Sequence, residues 1–191
     1  MIQSVINDPL SIGIAKRLKH LRQARGWSLD AAAQQTGVSR ATLSRLENAD
    51  VSPTTRVLGL LSAAYGVTAS RLLAEVEGEP SAVIRRADQT VWCDPDSKSG
   101  LIRRMVSPPS LSLRGEVVEV ELQPGACISY PSPAKPGLEH HLVLLHGILS
   151  ITVDNHTHTL RAGDVVRYHL FEANQFETPP ETGARYLLFL I

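Results

Sequence analysis

The chain has 191 residues, 43% hydrophobic and 20% charged, which is room for one large domain or two small ones in an ordinary soluble composition. Its longest apolar runs, such as Leu142 to Leu145, are far too short to cross a bilayer, so no membrane partner is expected. Net charge is zero, but residues 1–73 hold nine Lys or Arg against four acids and the remainder is acidic, so only the first segment suits a polyanion.

Met1 to Pro9 lacks the basic and apolar regions of a signal peptide, and a cytoplasmic location is expected. From Ile14 to Arg22, apolar residues recur at three- and four-residue steps, the mark of an amphipathic helix, which Gly26 stops. Ser28 offers an N-cap for a short helix, Leu29 to Thr36, and Gly37 permits a sharp turn. Ser39 caps the next helix, Arg40 to about Glu47, with Leu43 and Leu46 on its buried side. Pro53 sits where a fourth helix can start, and a last short helix covers about Thr68 to Leu73. Glu75 to Pro80 is acidic, lacks an apolar stripe and ends in Pro. The expected division is therefore a helical domain over 11–75, a linker over 76–90 and a second domain over 91–191.

Beyond Pro80 the pattern changes to short strands. Glu116 to Leu122 is one. Leu142–Leu145 and Ile148–Val153 flank Gly147 as if at a hairpin corner, and Tyr186 to Ile191 is the last. Asp154-Asn155 and Ala162-Gly163-Asp164 mark turns, and the whole reads as a β-barrel or sandwich. Cys93 and Cys127 fit no metal motif and are expected as buried free thiols. Glu119 and Glu121 read as a solvated strand face.

A short helix, a glycine turn and a second helix make a helix-turn-helix unit, whose second helix can lie in a major groove. With Leu43 and Leu46 facing the core, Arg40, Thr42, Ser44 and Arg45 lie off that face. Arg suits bidentate contact with guanine, while Ser28, Ser39 and the basic side chains of the first helix can hold phosphates. Residues 14–73 resemble the lambda-repressor-like, or Xre-type, domain. The resemblance rests on Arg22-Gln-Ala-Arg-Gly-Trp-Ser-Leu29, on Thr36-Gly-Val-Ser-Arg-Ala-Thr-Leu-Ser-Arg-Leu-Glu-Asn48 and on Ser52-Pro53-Thr54. It implies a five-helix bundle, base-reading positions at Arg40, Ala41, Ser44 and Arg45, and phosphate contacts near Ser39, Thr42 and Asn48. Leu29 stands where that family usually has Gln, which removes one polar contact.

Roughly residues 115–190 resemble a cupin, a small double-sheet β-barrel, through Pro124-Gly125, Leu142-Val-Leu-Leu-His-Gly147 and Leu160-Arg-Ala-Gly-Asp-Val-Val-Arg-Tyr168. The fold class implied is thus α + β in two domains. Metal-binding cupins use two His and a Glu from the first motif and a His from the second. Here the Glu position maps to His140, the upstream pair falls within Pro131 to Pro136, which holds no His, and the second-motif His maps to Asn174. The mapped site implies no metal and no cofactor. Six of the seven histidines lie between His140 and His169, but His140 and His141 should point to opposite faces of a strand, and His156 and His158 fall in a turn. His140 and Asn174 are the first candidates for polar groups in a ligand pocket, with Tyr168, Tyr130, Phe176 and Arg104 behind them.

An Xre-type domain followed by a cupin is the arrangement of one-component regulators, in which the barrel senses a small molecule. The sequence therefore points to a regulator of double-stranded DNA targets. It would act as a homodimer paired through Val143, Leu145 or another outer apolar face, with a small, amino-acid-like effector implied by the resemblance. Two other classes remain at this stage: a DNA-binding protein whose barrel only dimerises, and a cupin enzyme, for which no catalytic residue is evident.

Overall fold

The computed structural model describes residues 9–73, 82–96, 99–110 and 113–191. Five helices come first: α1 (Pro9–Ala24), α2 (Leu29–Thr36), α3 (Arg40–Glu47), α4 (Thr55–Tyr65) and α5 (Ala69–Leu73). Their caps follow from side-chain chemistry. Ser28 Oγ accepts the Ala31 N–H at 3.1 Å, and Ser39 Oγ accepts the Thr42 N–H at 3.1 Å. Gly37 at φ +69° ends α2, in a left-handed conformation that costs glycine little. Pro53 precedes the N-cap Thr54, so α4 starts two residues after it. Leu18, Leu43, Leu46, Leu58 and Leu61 fill the bundle core.

After residues 74–81, which hold the first part of the expected linker and lie outside the described residues, a 3-10 turn at Arg86–Asp88 leads into the strands. They are β1 (Val91–Cys93), β2 (Ile102–Ser107), β3 (Glu116–Leu122), β4 (Cys127–Tyr130), β5 (Leu138–Val153), β6 (His156–Arg161), β7 (Val165–Leu170), β8 (Asn174–Glu177) and β9 (Ala184–Leu190). Every pairing is antiparallel, in the order β1-β2-β3-β9-β5-β8-β4, with β6 and β7 also on β5. This is the curled two-sheet architecture of a cupin.

The strand β5 makes the curl. Its first half pairs with β7 and β9, and its second half with β6 and β8. Gly147 is therefore no hairpin corner but a bend inside one 16-residue strand. It lies at φ +86°, and a Cβ there would sit 1.9 Å from the Gly183 carbonyl oxygen, so only glycine fits.

Three further expectations change. His156 and His158 lie on β6, exposed, and the turn is confined to Asp154 and Asn155, both at positive φ. Cys93 and Cys127 are free but exposed, because both point outward from short strands. Glu119 is buried rather than solvated, with Arg86 at 3.5 Å and Arg104 at 3.7 Å.

Among the described residues the two domains touch at several places. Trp92, 2% exposed, donates its Nε1–H to Ser52 at 3.4 Å. Asp94 Oδ2 accepts the Thr55 N–H at the start of α4 at 3.2 Å. Glu116, buried, accepts from Ser70, from Thr68 at 3.0 Å and from Arg71 at 3.3 Å. Tyr130 packs over Gly59 of α4, where an added Cβ would stand 3.0 Å from its ring.

Candidate functional site

The helix α3 turns about 100° per residue. Leu43 and Leu46 face the core at 2% exposure each, so Ala41, Ser44, Arg45 and Asn48 fall on the opposite ridge, with Arg40 and Thr42 flanking it. Arg40, Ala41, Arg45 and Asn48 are exposed, and Thr42 and Ser44 are half-buried. Eight residues span about 12 Å along the axis, and a helix with its side chains is about 10–12 Å across, which a major groove about 12 Å wide admits. Ser39 and Thr42 hydrogen-bond each other through their hydroxyls at 2.8 Å at the start of the helix. Arg40 rests against Asp30 at 3.2 Å, both well exposed, a contact weak enough for a nucleic acid to displace. Ser28 is exposed at the start of α2, while Leu29 packs on the bundle core.

One basic residue of α1 has another role. Arg22 makes a bidentate pair with Glu47 of α3, both bonds at 2.7 Å, and donates to the Trp27 carbonyl at 2.9 Å. Arg22 thus positions the reading helix and is not available to a phosphate. Lys16 and Lys19 of the same helix are exposed.

The second feature is a cavity of about 100 Å³ between the barrel and α4–α5. Its barrel wall includes His140, Asn174, Tyr130, Phe176, Tyr186 and Arg103, and its other wall includes Gly59, Ser62 and Ser70. The sequence thus placed His140, Asn174, Tyr130 and Phe176 around one space. Tyr168 stands behind them, with its hydroxyl 3.0 Å from His140 Nδ1. Tyr130 meets Phe176 edge-on and Phe176 stacks on Tyr186, which makes one side aromatic.

Arg104 is not in this cavity; it pairs with Glu119 on the other face. Its neighbour Arg103 is, with a guanidinium that donates to the Tyr130 hydroxyl. Along β2, Arg103 sits opposite Val120 and Arg104 opposite Glu119, so a slip of one residue exchanges the faces. The apolar partner Val120 was the signal in the sequence that marks the inward position. Ser62 and Ser70 had no such signal, because the helix pattern does not tell which face meets the barrel.

Burial sets the electrostatics. His140 is 5% exposed, and desolvation lowers its pKa to about 4, so the ring is neutral at pH 7. Burial pushes the Tyr130, Tyr168 and Tyr186 hydroxyls up, so they stay protonated. With Asn174 donating to the Tyr168 oxygen, we assign the Tyr168 proton to His140 Nδ1, and this assignment puts the His140 proton on Nε2. The donor set around His140 is one imidazole with an amide and hydroxyls. Among the described residues no group of three or more His, Cys, Asp or Glu is placed to hold an ion, and the residues do not fit the metal of the cupin pattern. His141 and His169 lie outside, at 2.7 and 3.9 Å from Glu139, whose carboxyl is held low chiefly by the His141 hydrogen bond.

Residues 14–74 match the family model of a helix-turn-helix domain. The HTH-type transcriptional regulator SutR of Escherichia coli K12 is 31% identical over 155 residues, 81% of each chain. A crystallised HTH_3 family transcriptional regulator from Vibrio cholerae aligns over 95% of this chain and 97% of its own, at 24% identity and a TM-score of 0.74. The cupin domain of an XRE family transcriptional regulator from Enterobacter cloacae covers 47% of this chain and 94% of its own, at 19% identity and a TM-score of 0.44.

Proposed function

This chain belongs to the Xre-type helix-turn-helix transcriptional regulators that carry a cupin domain, and from that premise we propose that it binds a specific DNA operator through α3 and adjusts that binding when its barrel takes up a small metabolite. The observation that carries the first half is the outward ridge of α3. Arg40 and Arg45 suit guanine, with Ala41 and Ser44 completing the base-reading row. Ser28, Ser39, Thr42 and Asn48 are the proposed phosphate contacts that fix its register.

The sensing half is supported by the cavity, whose wall holds His140 and Asn174 among apolar and aromatic side chains. The effector is a small polar, amino-acid-like metabolite. Dimerisation is supported by an apolar row outside the barrel: Val117 beside Phe189, Leu187 beside Val143, and Val143 beside Val165. Val165 is 53% exposed and Leu145 39%. A two-fold pair through this row would set the spacing of two half-sites. The protein acts in the cytoplasm, and no helix among the described residues is long and apolar enough to cross a membrane.

The enzyme reading has less support, since His140 is hydrogen-bonded to Tyr168 and no Asp or Glu is among the described residues that line the cavity. The scaffold reading gives no reason for a cavity lined with polar atoms. Fluorescence anisotropy with DNA recovered from the genome by the protein tests the proposal. A specific site should bind about 10³-fold or more tightly than random DNA at physiological salt, and equal affinity would refute it.

A further inference from the structure

Four residues that line the cavity between the domains each hold a buried polar atom without a hydrogen-bond partner: Ser62 Oγ, Arg103 Nε, His140 Nε2 and Asn174 Oδ1. Ser62 is 4% exposed, His140 5% and Asn174 6%. Buried polar atoms are rarely left unpaired, so a cluster of four around one space marks groups held for something that enters it. They come from both domains. Ser62 belongs to α4 of the DNA-binding bundle, and the other three belong to the barrel.

Their chemistry is complementary to one kind of molecule. Arg103 Nε–H and His140 Nε2–H are donors, the first on a permanent cation, and together they suit an oxyanion. Asn174 Oδ1 accepts, and suits an ammonium or hydroxyl group. Ser62 can do either. Much of the remaining wall is apolar, Val120, Phe176 and Leu188 among it, with Thr68, Ser70 and Ser132 adding hydroxyls. A void of 150 Å³ holds the six non-hydrogen atoms of benzene, so about 100 Å³ holds roughly four to five, the size of glycine.

We propose that the effector is a small α-amino acid or close analogue bound between the two domains, with its carboxylate toward Arg103 and His140, its amino group toward Asn174, and α4 of the DNA-binding bundle closing the site through Ser62. This rests on the reading of the barrel as a sensor and adds the ligand's chemistry and the second wall. It also supplies a route to the DNA. On its other side α4 borders a second cleft, lined by Thr54, Thr55 and Arg56, by Ser39 and Thr42 of the reading helix, and by Asp94 and Asp96 of the barrel. A ligand that draws Ser62 toward the barrel wall moves α4 and the start of α3 relative to those two carboxylates. The effector then favours one arrangement of head and barrel over another, and the difference in affinity is the allosteric coupling.

Calorimetric titration of the full chain with glycine, L-alanine, L-serine, L-cysteine and L-threonine tests this, each beside its deaminated acid and its decarboxylated amine. At least one amino acid should bind, with the amine weaker by about tenfold or more. Arg103→Gln should remove that discrimination, and Arg103→Lys, which keeps the charge, should retain part of it. Ser62→Ala should weaken binding by about 2- to 12-fold, the worth of one hydrogen bond, and Ser62→Leu, which fills the space, should abolish it. Circular dichroism of each variant confirms folding. Amino-acid binding that is unchanged in both Ser62 variants would overturn the shared site while leaving the barrel a sensor. A hit only among unrelated metabolites, lost in His140→Ala, would overturn the ligand class alone. No binding by any amino acid or by a broad metabolite library would overturn the proposal and the sensor reading together, and would leave water as the occupant.

Discussion

Replacing Arg22 by Met should loosen α3 without touching its outward ridge. The Arg22 guanidinium makes two charge-assisted bonds to Glu47 at 2.7 Å and a third to the Trp27 carbonyl at 2.9 Å. The side chains are 14% and 7% exposed, so removing the cation strands a nearly buried carboxylate. Breaking a fully buried pair costs about 3–5 kcal/mol. The residual exposure of Arg22 places this one near the lower end, at about 3 kcal/mol, against a usual domain stability of about 5–15 kcal/mol. Arg22→Met combined with Glu47→Leu should cost less than Arg22→Met alone, because no charge is left behind. The assay is urea unfolding followed at 222 nm, where the helical domain dominates since every α-helix of the described residues lies within 9–73. A loss under about 1 kcal/mol for the single variant, or a double variant equal to the sum of the singles, would refute the clamp.

Arg45→Ala should lower affinity for the operator by about 1–3 kcal/mol, roughly 5- to 150-fold, while binding to random DNA falls far less. Competition between operator and random duplexes reads both. Stability should fall with acidity between pH 6.5 and about 4, because unfolded His140 takes up a proton that the folded ring refuses. The slope contributed by this group approaches about 1.4 kcal/mol per pH unit in that window and vanishes above and below it. His140→Gln should flatten that part of a melting-temperature profile. Gly147→Ala should destabilise the barrel by about 3 kcal/mol or more, since its methyl would collide with the Gly183 carbonyl; an unchanged melting temperature would contradict the bend. Leu187→Arg should shift the protein from dimer to monomer in sedimentation if the outer row forms the pair.

In the helical half α2 and α3 were legible to the residue, because their signals are local, while α1 begins at Pro9, five residues before its first apolar step at Ile14. Ser28, Gly37 and Ser39 act within one turn of themselves, and α2 and α3 have the expected bounds. The Arg22–Glu47 pair was not legible, because 25 residues separate two ordinary charges. In the barrel the same divide appears. The strand Glu116–Leu122 follows from its β-branched residues, but Gly147 reads as a corner until the Gly183 backbone is beside it. The cavity was half legible. His140 and Asn174 followed from the position of a motif, Arg103 was displaced by one residue in register, and Ser62 became part of the site only through the packing of α4 on the barrel.

The most direct test of the account is selection of bound duplexes from a random pool, followed by a salt titration of the recovered sequence. The expected result is enrichment of one two-fold symmetric site, with half-sites spaced by one helical turn or a multiple of it. Affinity should also fall steeply with salt, and enrichment at single base positions should be lost in Arg45→Ala. A pool that stays random after repeated selection would contradict the account.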